Sequence, residues 1–201
     1  MIRKLVLGAA AGIAAAALWW RKNPSACPYG QRFWIEAPHP FITRERLRQA
    51  LRPAAGERVL EVGPGTGYYT LELAGWLIPG GSLEIFDIQQ PMLDHTMRRV
   101  VERGLPNVHS TRGDARSLPY EDGSFDAAVL TTVLGEIPDQ EGALGEIARV
   151  LKPGGRLIVG ELIGDPHYVA PGALESRAGA AGLRLVERSG PRLGYFARLE
   201  P

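Results

Sequence analysis

The chain has 201 residues, of which 45% are hydrophobic and 22% charged, and its formal net charge is +1 at pH 7. This apolar content is enough for the core of one globular domain and excludes a low-complexity chain. The balanced charge gives no indication of a nucleic-acid partner, and the single cysteine, Cys27, excludes an intrachain disulfide.

Residues 1–22 are predicted to be a hydrophobic membrane-anchor helix. No charged side chain occurs from Leu5 to Trp20, and a basic pair flanks this stretch on each side. A helix of that length rises about 24 Å, short of the roughly 30 Å hydrocarbon core unless the flanking residues extend it. Tryptophan beside basic residues is typical of an interfacial anchor. A secretory signal peptide, cleaved near the alanines at 15–17, is the alternative.

Residues 23–55 are predicted to be a linker and lid. Prolines and glycine alternate with aromatic residues up to Phe41, a pattern typical of turns. Thr43 is a candidate N-cap for a short helix that reaches Leu51 and stops before Pro53. The aromatic side chains could fill the open end of a core, but their position between the apolar segment and a glycine-rich turn favours a lid.

Residues 56–201 are predicted to be an α/β domain, because short apolar runs alternate with helical patterns. The predicted strands lie at 59–62, 82–86, 107–111, 124–130, 156–160, 183–187 and 193–199, and the predicted helices at 68–76, 91–101, 143–151 and 171–181. The second helix is expected to bury Met92, Leu93, Met97, Val100 and Val101.

The first strand ends at Gly63, Gly65 and Gly67, which are spaced two residues apart. Glycine can take a positive φ and lets a ligand approach the main chain, and the free amides of the following helix can donate to that ligand. The pattern also fits an ordinary strand-to-helix turn, so its functional meaning depends on the other strand ends.

Polar residues stand at those strand ends. Asp87 ends the second strand, where a carboxylate can accept hydrogen bonds from ribose hydroxyls. Met92 is near enough to touch a flat base. Asp114 could cap a turn, or could accept a hydrogen bond from an exocyclic amine. Thr131 follows the fourth strand, at the crevice where open sheets bind ligands.

Together these motifs resemble the class I S-adenosylmethionine-dependent methyltransferases, and more narrowly the small-molecule branch that includes the ubiquinone and menaquinone C-methyltransferases. The resemblance covers roughly residues 56–188. It rests on the segments 59–67, Asp87 with 91–93, 113–115 before 118–119, 125–126 and 149–155. It implies a Rossmann-like seven-stranded sheet of order 3-2-1-4-5-7-6, with strand 7 antiparallel and helices on both faces.

The resemblance also implies the cofactor S-adenosyl-L-methionine (SAM) and its contacts, whereas no metal ion is expected. The expected binding residues are Glu61, Gly63, Gly65 and Gly67 for the methionine part, Asp87 for the ribose, Met92, Asp114 and Ala115 for the adenine, and Thr131 for the methyl side. Because this cofactor is made and kept in the cytosol, an anchor is favoured over a signal peptide, with the catalytic domain on the cytoplasmic side of the membrane.

The methyl acceptor is expected to be a small, lipophilic molecule, because an apolar segment ahead of such a core resembles membrane-associated methyltransferases that act on lipophilic thiols or phospholipid amines. The Asn/Asp-Pro-Pro-Tyr motif of nucleic-acid and protein amino methyltransferases is missing after the fourth strand, so no nucleic-acid partner is expected. The sequence assigns no catalytic residue and no oligomeric state. The candidate bases are Tyr29, His39, Glu136, His167 and Tyr195.

Two alternatives stay open. An NAD(P)-dependent oxidoreductase would use a similar fold, but its Gly-x-Gly-x-x-Gly fingerprint is one residue longer than the pattern at 63–67. A noncatalytic SAM-binding module would keep the same cofactor residues without transferring a methyl group.

Overall fold

The computed structural model describes residues 23–34, 36 and 39–201. The predicted anchor, residues 1–22, lies outside the described residues. Within the described ranges, no helix combines the length and the apolar character needed to cross a bilayer.

A seven-stranded sheet forms the centre of the domain. The strands are β1 (Arg58–Val62), β2 (Ser82–Asp87), β3 (Val108–Arg112), β4 (Phe125–Thr131), β5 (Leu151–Leu162), β6 (Arg184–Ser189) and β7 (Gly194–Glu200). Their order is β3-β2-β1-β4-β5-β7-β6. Strands β1 to β5 pair in parallel, whereas β7 is antiparallel to both β5 and β6. This topology confirms the predicted fold class.

Helices cover both faces of the sheet. They are α1 (Arg44–Leu51), α2 (Thr70–Leu77), α3 (Gln90–Glu102), α4 (Gln140–Val150) and α5 (Pro171–Ala180), and short 3-10 helices occur at Tyr29–Trp34 and Leu134–Glu136. The buried residues of α1, α2 and α3 pack on one face, and those of α4 and α5 on the other. Strands β1, β2 and β4 are therefore buried on both sides, which explains why they read as continuous apolar runs.

The prediction for α3 is wrong at Val101, which is 74% exposed. Val100 and Val101 project about 100° apart around a helix of 3.6 residues per turn, so only one of them can face the sheet. Thr96 is fully buried instead, and its Oγ1 donates to the carbonyl oxygen of Gly65 at 2.9 Å.

The prediction for the fifth strand starts five residues too late. Helix α4 ends at Val150, and β5 follows at once from Leu151. Its pairing with β4 then shifts from Phe125–Leu151 to Ala127–Arg156. The helix has already ended before the Pro-Gly-Gly sequence, which forms an irregularity inside the strand rather than a loop before it.

The first helix is fixed against the sheet by polar contacts. Thr43 caps α1 as predicted, because its side chain accepts a hydrogen bond from the amide three residues on. Arg156 donates to both carboxylate oxygens of Glu57, each at 2.8 Å, and to carbonyls at the end of α1. The Tyr69 hydroxyl donates to the carbonyl of Ile42 at 2.5 Å. These contacts hold the segment before α1 beside the glycine turn.

Candidate active site

A cleft of about 690 Å³ opens at the carboxyl ends of the parallel strands. Ligands bind at this edge of open α/β sheets because the chain leaves neighbouring strands toward opposite faces there, as β1 and β4 do here. The wall comes from the chain that follows β1 to β5, at residues 63–65, 87–89, 113–116, 131–133, 136–138 and 164–167. Its size suits a cofactor and a small second molecule.

The glycine turn shapes one side of this cleft. Gly63 has φ +69° and Gly65 has φ +56°, and both line the wall. A Cβ on Gly63 would lie 2.3 Å from Cγ2 of Val133, so this position has no room for a side chain. Gly67 also has a positive φ, but it lies outside the cleft wall and packs against Thr96 of α3. The third glycine therefore serves the packing of the turn.

Glu61 lies behind the glycine turn rather than in the cleft wall. It is almost fully buried in β1, and its Oε2 accepts a hydrogen bond from Thr70 Oγ1 at 2.6 Å. Burial raises the pKa of Glu61 to about 7, and the hydrogen bond from Thr70 opposes that rise. In the free protein this carboxyl links β1 to the first turn of α2.

Asp87 and Asp114 both line the cleft, in different environments. Burial raises the pKa of Asp87 to about 6, although its Oδ1 accepts from the amide of Gln89 at 2.7 Å. Asp114 forms a bidentate ion pair with Arg116, with a shortest distance of 2.6 Å, and this pair lowers its pKa. Asp114 also accepts from the Arg116 amide, so it caps the turn and lines the cleft at once.

The end of β4 carries two features typical of a ligand site. Thr131 lines the cleft, and its buried Oγ1 has no hydrogen-bond partner among the described residues. Thr132 has φ +54°, a left-handed conformation that few residues other than glycine adopt. Unpaired buried hydroxyls and strained backbone are rare in native folds and concentrate at functional sites. Met92 and Ala115 complete the predicted adenine side of the same wall.

Three carboxyl groups gather on the opposite side of the cleft. Glu136 and Asp165 line the wall, and burial, followed by the charge of Asp165, raises the pKa of Glu136 to about 8. Glu161 lies in β5 at 1% exposure, its Oε1 has no partner in the part of the chain that the structure describes, and burial raises its pKa to about 8 as well. The charges of Asp165 and Glu136 add to that rise.

The sequence analysis included Glu136 among the candidate bases, but it missed Asp165 and Glu161. An acidic residue inside the apolar run of β5 was the available signal for Glu161. Asp165 follows β5 by three residues, in a loop where an aspartate is unremarkable by itself.

The other four candidate bases divide between the cleft and the rest of the fold. His39 and His167 line the wall, and burial lowers the pKa of His39. The Tyr195 hydroxyl is buried in the core and donates to the carbonyl of Val169 at 2.7 Å. The hydroxyl of Tyr29 lies 3.3 Å from Nδ1 of His95, outside the wall.

A strap, residues 23–34, crosses the cleft. Residues 24–27 and Gln31 line the wall from the side opposite the sheet edge. The amide of Cys27 donates to Glu136 Oε1 at 3.2 Å, and the carbonyl of Cys27 accepts from Gln89 Nε2 at 2.9 Å. Because Gln89 follows β2 and Glu136 follows β4, the two bonds join both halves of the crevice through one residue.

Among the described residues, no group of three or more His, Cys, Asp or Glu side chains is arranged to hold a metal ion.

The sheet order, the glycine turn and the cleft are those of the class I SAM-dependent methyltransferase fold. An antiparallel β7 inserted between β5 and β6 distinguishes this sheet from the 3-2-1-4-5-6 order of the dinucleotide-binding fold. Residues 60–159 match the family model described as "Methyltransferase domain". The sheet order and this match both argue against the NAD(P)-dependent oxidoreductase alternative.

Three relatives illustrate the match. The chain is 36% identical over 125 residues to the demethylmenaquinone methyltransferase of Clavibacter sepedonicus, covering 62% of this chain and 49% of that protein. It is 38% identical over 105 residues to the ubiquinone/menaquinone biosynthesis C-methyltransferase UbiE of Ectopseudomonas mendocina, covering 52% and 41%. A SAM-dependent methyltransferase structure from Aquifex aeolicus shares the fold, with a TM-score of 0.78, 19% identity, and 86% and 98% coverage. The chain spans less than half the length of the two curated relatives.

The cleft fits SAM, the methyl donor of this class. Gly63 leaves no side chain between the main chain and a ligand, Asp87 offers a buried acceptor to hydroxyl groups, and Thr131 offers an unpaired hydroxyl. Acidic groups on the cleft wall suit the positive charge of a sulfonium.

Proposed function

We propose that the protein transfers a methyl group from SAM to a small, lipophilic acceptor at the cytoplasmic face of a membrane. The observation that carries this proposal is the course of the strap. Pro24 lines the cleft, and the apolar segment ends at Trp20, only four residues earlier. Four extended residues span at most about 14 Å, so insertion of residues 1–22 into a bilayer would hold the cleft close to its surface.

The similarity to a demethylmenaquinone methyltransferase supports a lipophilic acceptor, because the acceptor in that relative's name is a lipophilic quinone. The cleft wall is compatible with such a molecule, since apolar side chains make up much of it. Among them are Val62, Phe86, Val133, Ile137 and Leu162.

When bound, SAM supplies a methyl group on a positively charged sulfur, which is transferred in one in-line displacement. The residues proposed to hold it are Gly63, Gly65, Asp87, Met92, Asp114, Ala115 and Thr131, whereas Glu61 and Gly67 lie outside the cleft wall and shape the glycine turn. Their main task is orientation, because alignment of two bound reactants can contribute several kcal/mol to the rate. The strap is proposed to act as the lid that keeps water out of the cleft.

The test is to incubate the full chain with SAM that carries a labelled methyl group, together with a cell extract divided into lipid and aqueous fractions. We expect label in the lipid fraction. Gly65→Val is the negative control, because a β-branched residue at φ +56° is strongly disfavoured and should block cofactor binding.

Label confined to the aqueous fraction would overturn the lipophilic acceptor but keep the methyltransferase. Binding of SAM without labelling of either fraction would favour the noncatalytic module.

A further inference from the structure

We propose that the acceptor is a lipophilic amine, which binds as an ammonium ion beside Glu136 and Asp165, and that Glu136 accepts its proton before methyl transfer. This inference rests on the proposed methyl transfer and names the acceptor class for the same cleft.

The position of Glu136 suits this role. It follows Thr131 by five residues and lines the same wall. Its Oε1 is held by the amide of Cys27 at 3.2 Å, whereas its Oε2 has no hydrogen bond within the part of the chain that the structure describes. One oxygen therefore fixes the carboxyl group, and the other remains available to a ligand in the cleft.

Asp165 is also fixed in place, because its Oδ1 accepts from the amide of His167 at 2.6 Å. It lines the wall near Glu136, and its charge acts on that carboxyl. Two oriented carboxyl groups on one side of a cleft can hold a cation between them or beside them.

No arginine or lysine balances this pair on the described part of the wall, although the charge of His167 partly opposes the burial that raises the pKa of Asp165. Arg116 is the only arginine or lysine among the described lining residues, and it is bound to Asp114 on the adenine side. Glu161, buried in β5, accepts a hydrogen bond from the amide of Val169 at its Oε2, and its Oε1 has no partner among the described residues. Buried carboxyl groups are costly as anions, so they take up protons unless a ligand supplies the opposite charge.

The acidic character of Glu136 and Asp165 discriminates among possible methyl acceptors. Thiols, phenols and carboxylic acids react as anions, and an anion beside Glu136 and Asp165 would keep Glu136 protonated, so that it could not accept a proton. An amine arrives as an ammonium, which the same groups attract. An ammonium must lose a proton before its nitrogen can attack, and so it requires a base where a carboxylate acceptor would not.

The proposed methyl transfer conserves atoms and charge. The ammonium gives one proton to the ionised Glu136, and its nitrogen lone pair forms a bond to the methyl carbon while the carbon–sulfur bond breaks and leaves its electron pair on sulfur. The product is a methylated ammonium, a neutral thioether and a protonated Glu136.

The environment of Glu136 assists this transfer. An ordinary carboxyl and an alkylamine differ by about 6 pKa units. Burial, followed by the charges of Asp165 and Asp87, raises the pKa of Glu136 to about 8, so its surroundings favour the protonated carboxyl that the transfer produces. The other groups that face it are Glu161, Cys27 and His167, none of which carries a fixed positive charge.

The first test compares acceptors that differ only in their reactive group. The full chain is incubated with labelled SAM and octylamine, octanethiol, octanoate or 4-octylphenol. We expect label in octylamine. Glu136→Gln keeps an oxygen for the Cys27 amide, and it should lower kcat for octylamine by about 10²–10⁴-fold. Its rate should rise about tenfold per pH unit toward the pKa of the free amine, because the variant depends on amine that is already deprotonated.

The second test needs no turnover. Octylamine binding at pH 7 is measured by calorimetry in two buffers of different ionisation enthalpy. Glu136 is mostly protonated in the free protein and should ionise beside the bound cation, so binding should release close to one proton. Glu136→Gln should release far less. Glu175→Gln, an exposed acid on α5, is the matched control and should behave as the unaltered protein in both tests.

The inference is overturned if octanethiol, octanoate or octylphenol is labelled in preference to octylamine. It is equally overturned if octylamine binding releases no proton, or if Glu136→Gln weakens SAM binding while amine kinetics stay unchanged. Failure of the proposed function would look different: no label would reach any acceptor or either fraction of the extract.

Discussion

At the scale of single residues, Gly63 is required by both backbone and packing. Its φ is +69°, and a Cβ there would lie 2.3 Å from the Val133 side chain. We predict that Gly63→Ala lowers the free energy of unfolding by about 1–3 kcal/mol, because the left-handed conformation is strained for alanine and Val133 must move. Urea unfolding measures this loss of stability. Because Gly63 lines the cleft, calorimetry should also show weaker binding of the product S-adenosylhomocysteine.

Gly145→Ala is the matched control for that change. Gly145 lies inside α4, with open space around it and no positive φ. Alanine should stabilise this helix by about 0.5–1 kcal/mol and leave cofactor binding unchanged. A Gly63→Ala protein as stable as the original would contradict the packing argument.

The buried carboxyls predict how stability depends on pH. Burial raises the pKa of Glu61 to about 7, of Asp87 to about 6, and of Glu136 and Glu161 to about 8. Between about pH 4 and pH 8 the folded state therefore binds more protons than the unfolded state, so the free energy of unfolding should fall as pH rises. Below about pH 4 these four carboxyl groups are protonated in both the folded and the unfolded state, so they no longer lower the free energy of unfolding.

Glu161→Gln tests this expectation, because a neutral side chain of the same shape removes one of the four contributions. Urea unfolding at several pH values should show a smaller loss of stability between pH 5 and pH 8 than in the unaltered protein. Glu175→Gln should keep the full loss. An unchanged slope in Glu161→Gln would mean that Glu161 does not titrate in this window.

At the scale of elements, two hydrogen bonds of the strap can each be removed by a single substitution. Gln89 Nε2 bonds to the Cys27 carbonyl, and the Tyr29 hydroxyl bonds to His95. A neutral hydrogen bond is worth about 0.5–1.5 kcal/mol, so we predict that Gln89→Ala or Tyr29→Phe speeds cofactor dissociation by about 2- to 10-fold. Stopped-flow displacement of a fluorescent cofactor analogue measures this rate.

Gln90→Ala is the control for the strap, because the side chain of Gln90 bonds to Asp94 on the surface of α3 and to no strap residue that the structure describes. An effect in Gln89→Ala without one in Tyr29→Phe would mean that Gln89 acts on the cofactor directly. The strap would then not gate the cleft.

At the scale of the whole molecule, residues 1–22 are predicted to bind membranes while residues 23–201 form the catalytic unit. We expect the full chain to float with anionic lipid vesicles in a density gradient, and a chain that starts at Asn23 to remain in solution. Binding of S-adenosylhomocysteine should agree between the two within about twofold.

A matched control keeps the full length. Ala10→Lys with Ala14→Lys places two charges in the apolar stretch, each costing about 2.5–3.5 kcal/mol near the centre of an inserted helix. This protein should also stay in solution. Flotation of the shortened chain would instead assign membrane binding to the described domain.

The sequence by itself determined the features that depend on neighbouring residues. Thr43 as an N-cap, the glycines after β1 and the order of strands and helices follow from capping, from backbone freedom and from the period of apolar residues, which all act over a few positions. The positions of Asp87 and Thr131 at the cleft follow as well, because the carboxyl ends of parallel strands share one edge.

Only the tertiary structure decided which of these side chains face one another. Val101 could not be separated from Val100 by periodicity, and Tyr195 could not be recognised as a core residue. The amide of Cys27 meets a carboxylate 109 positions away, and Glu161 lies beside Asp165 and Glu136 because β5 is next to β4. Such contacts depend on distances that only the folded sheet sets, and for that reason the acidic side of the cleft was not visible in the sequence.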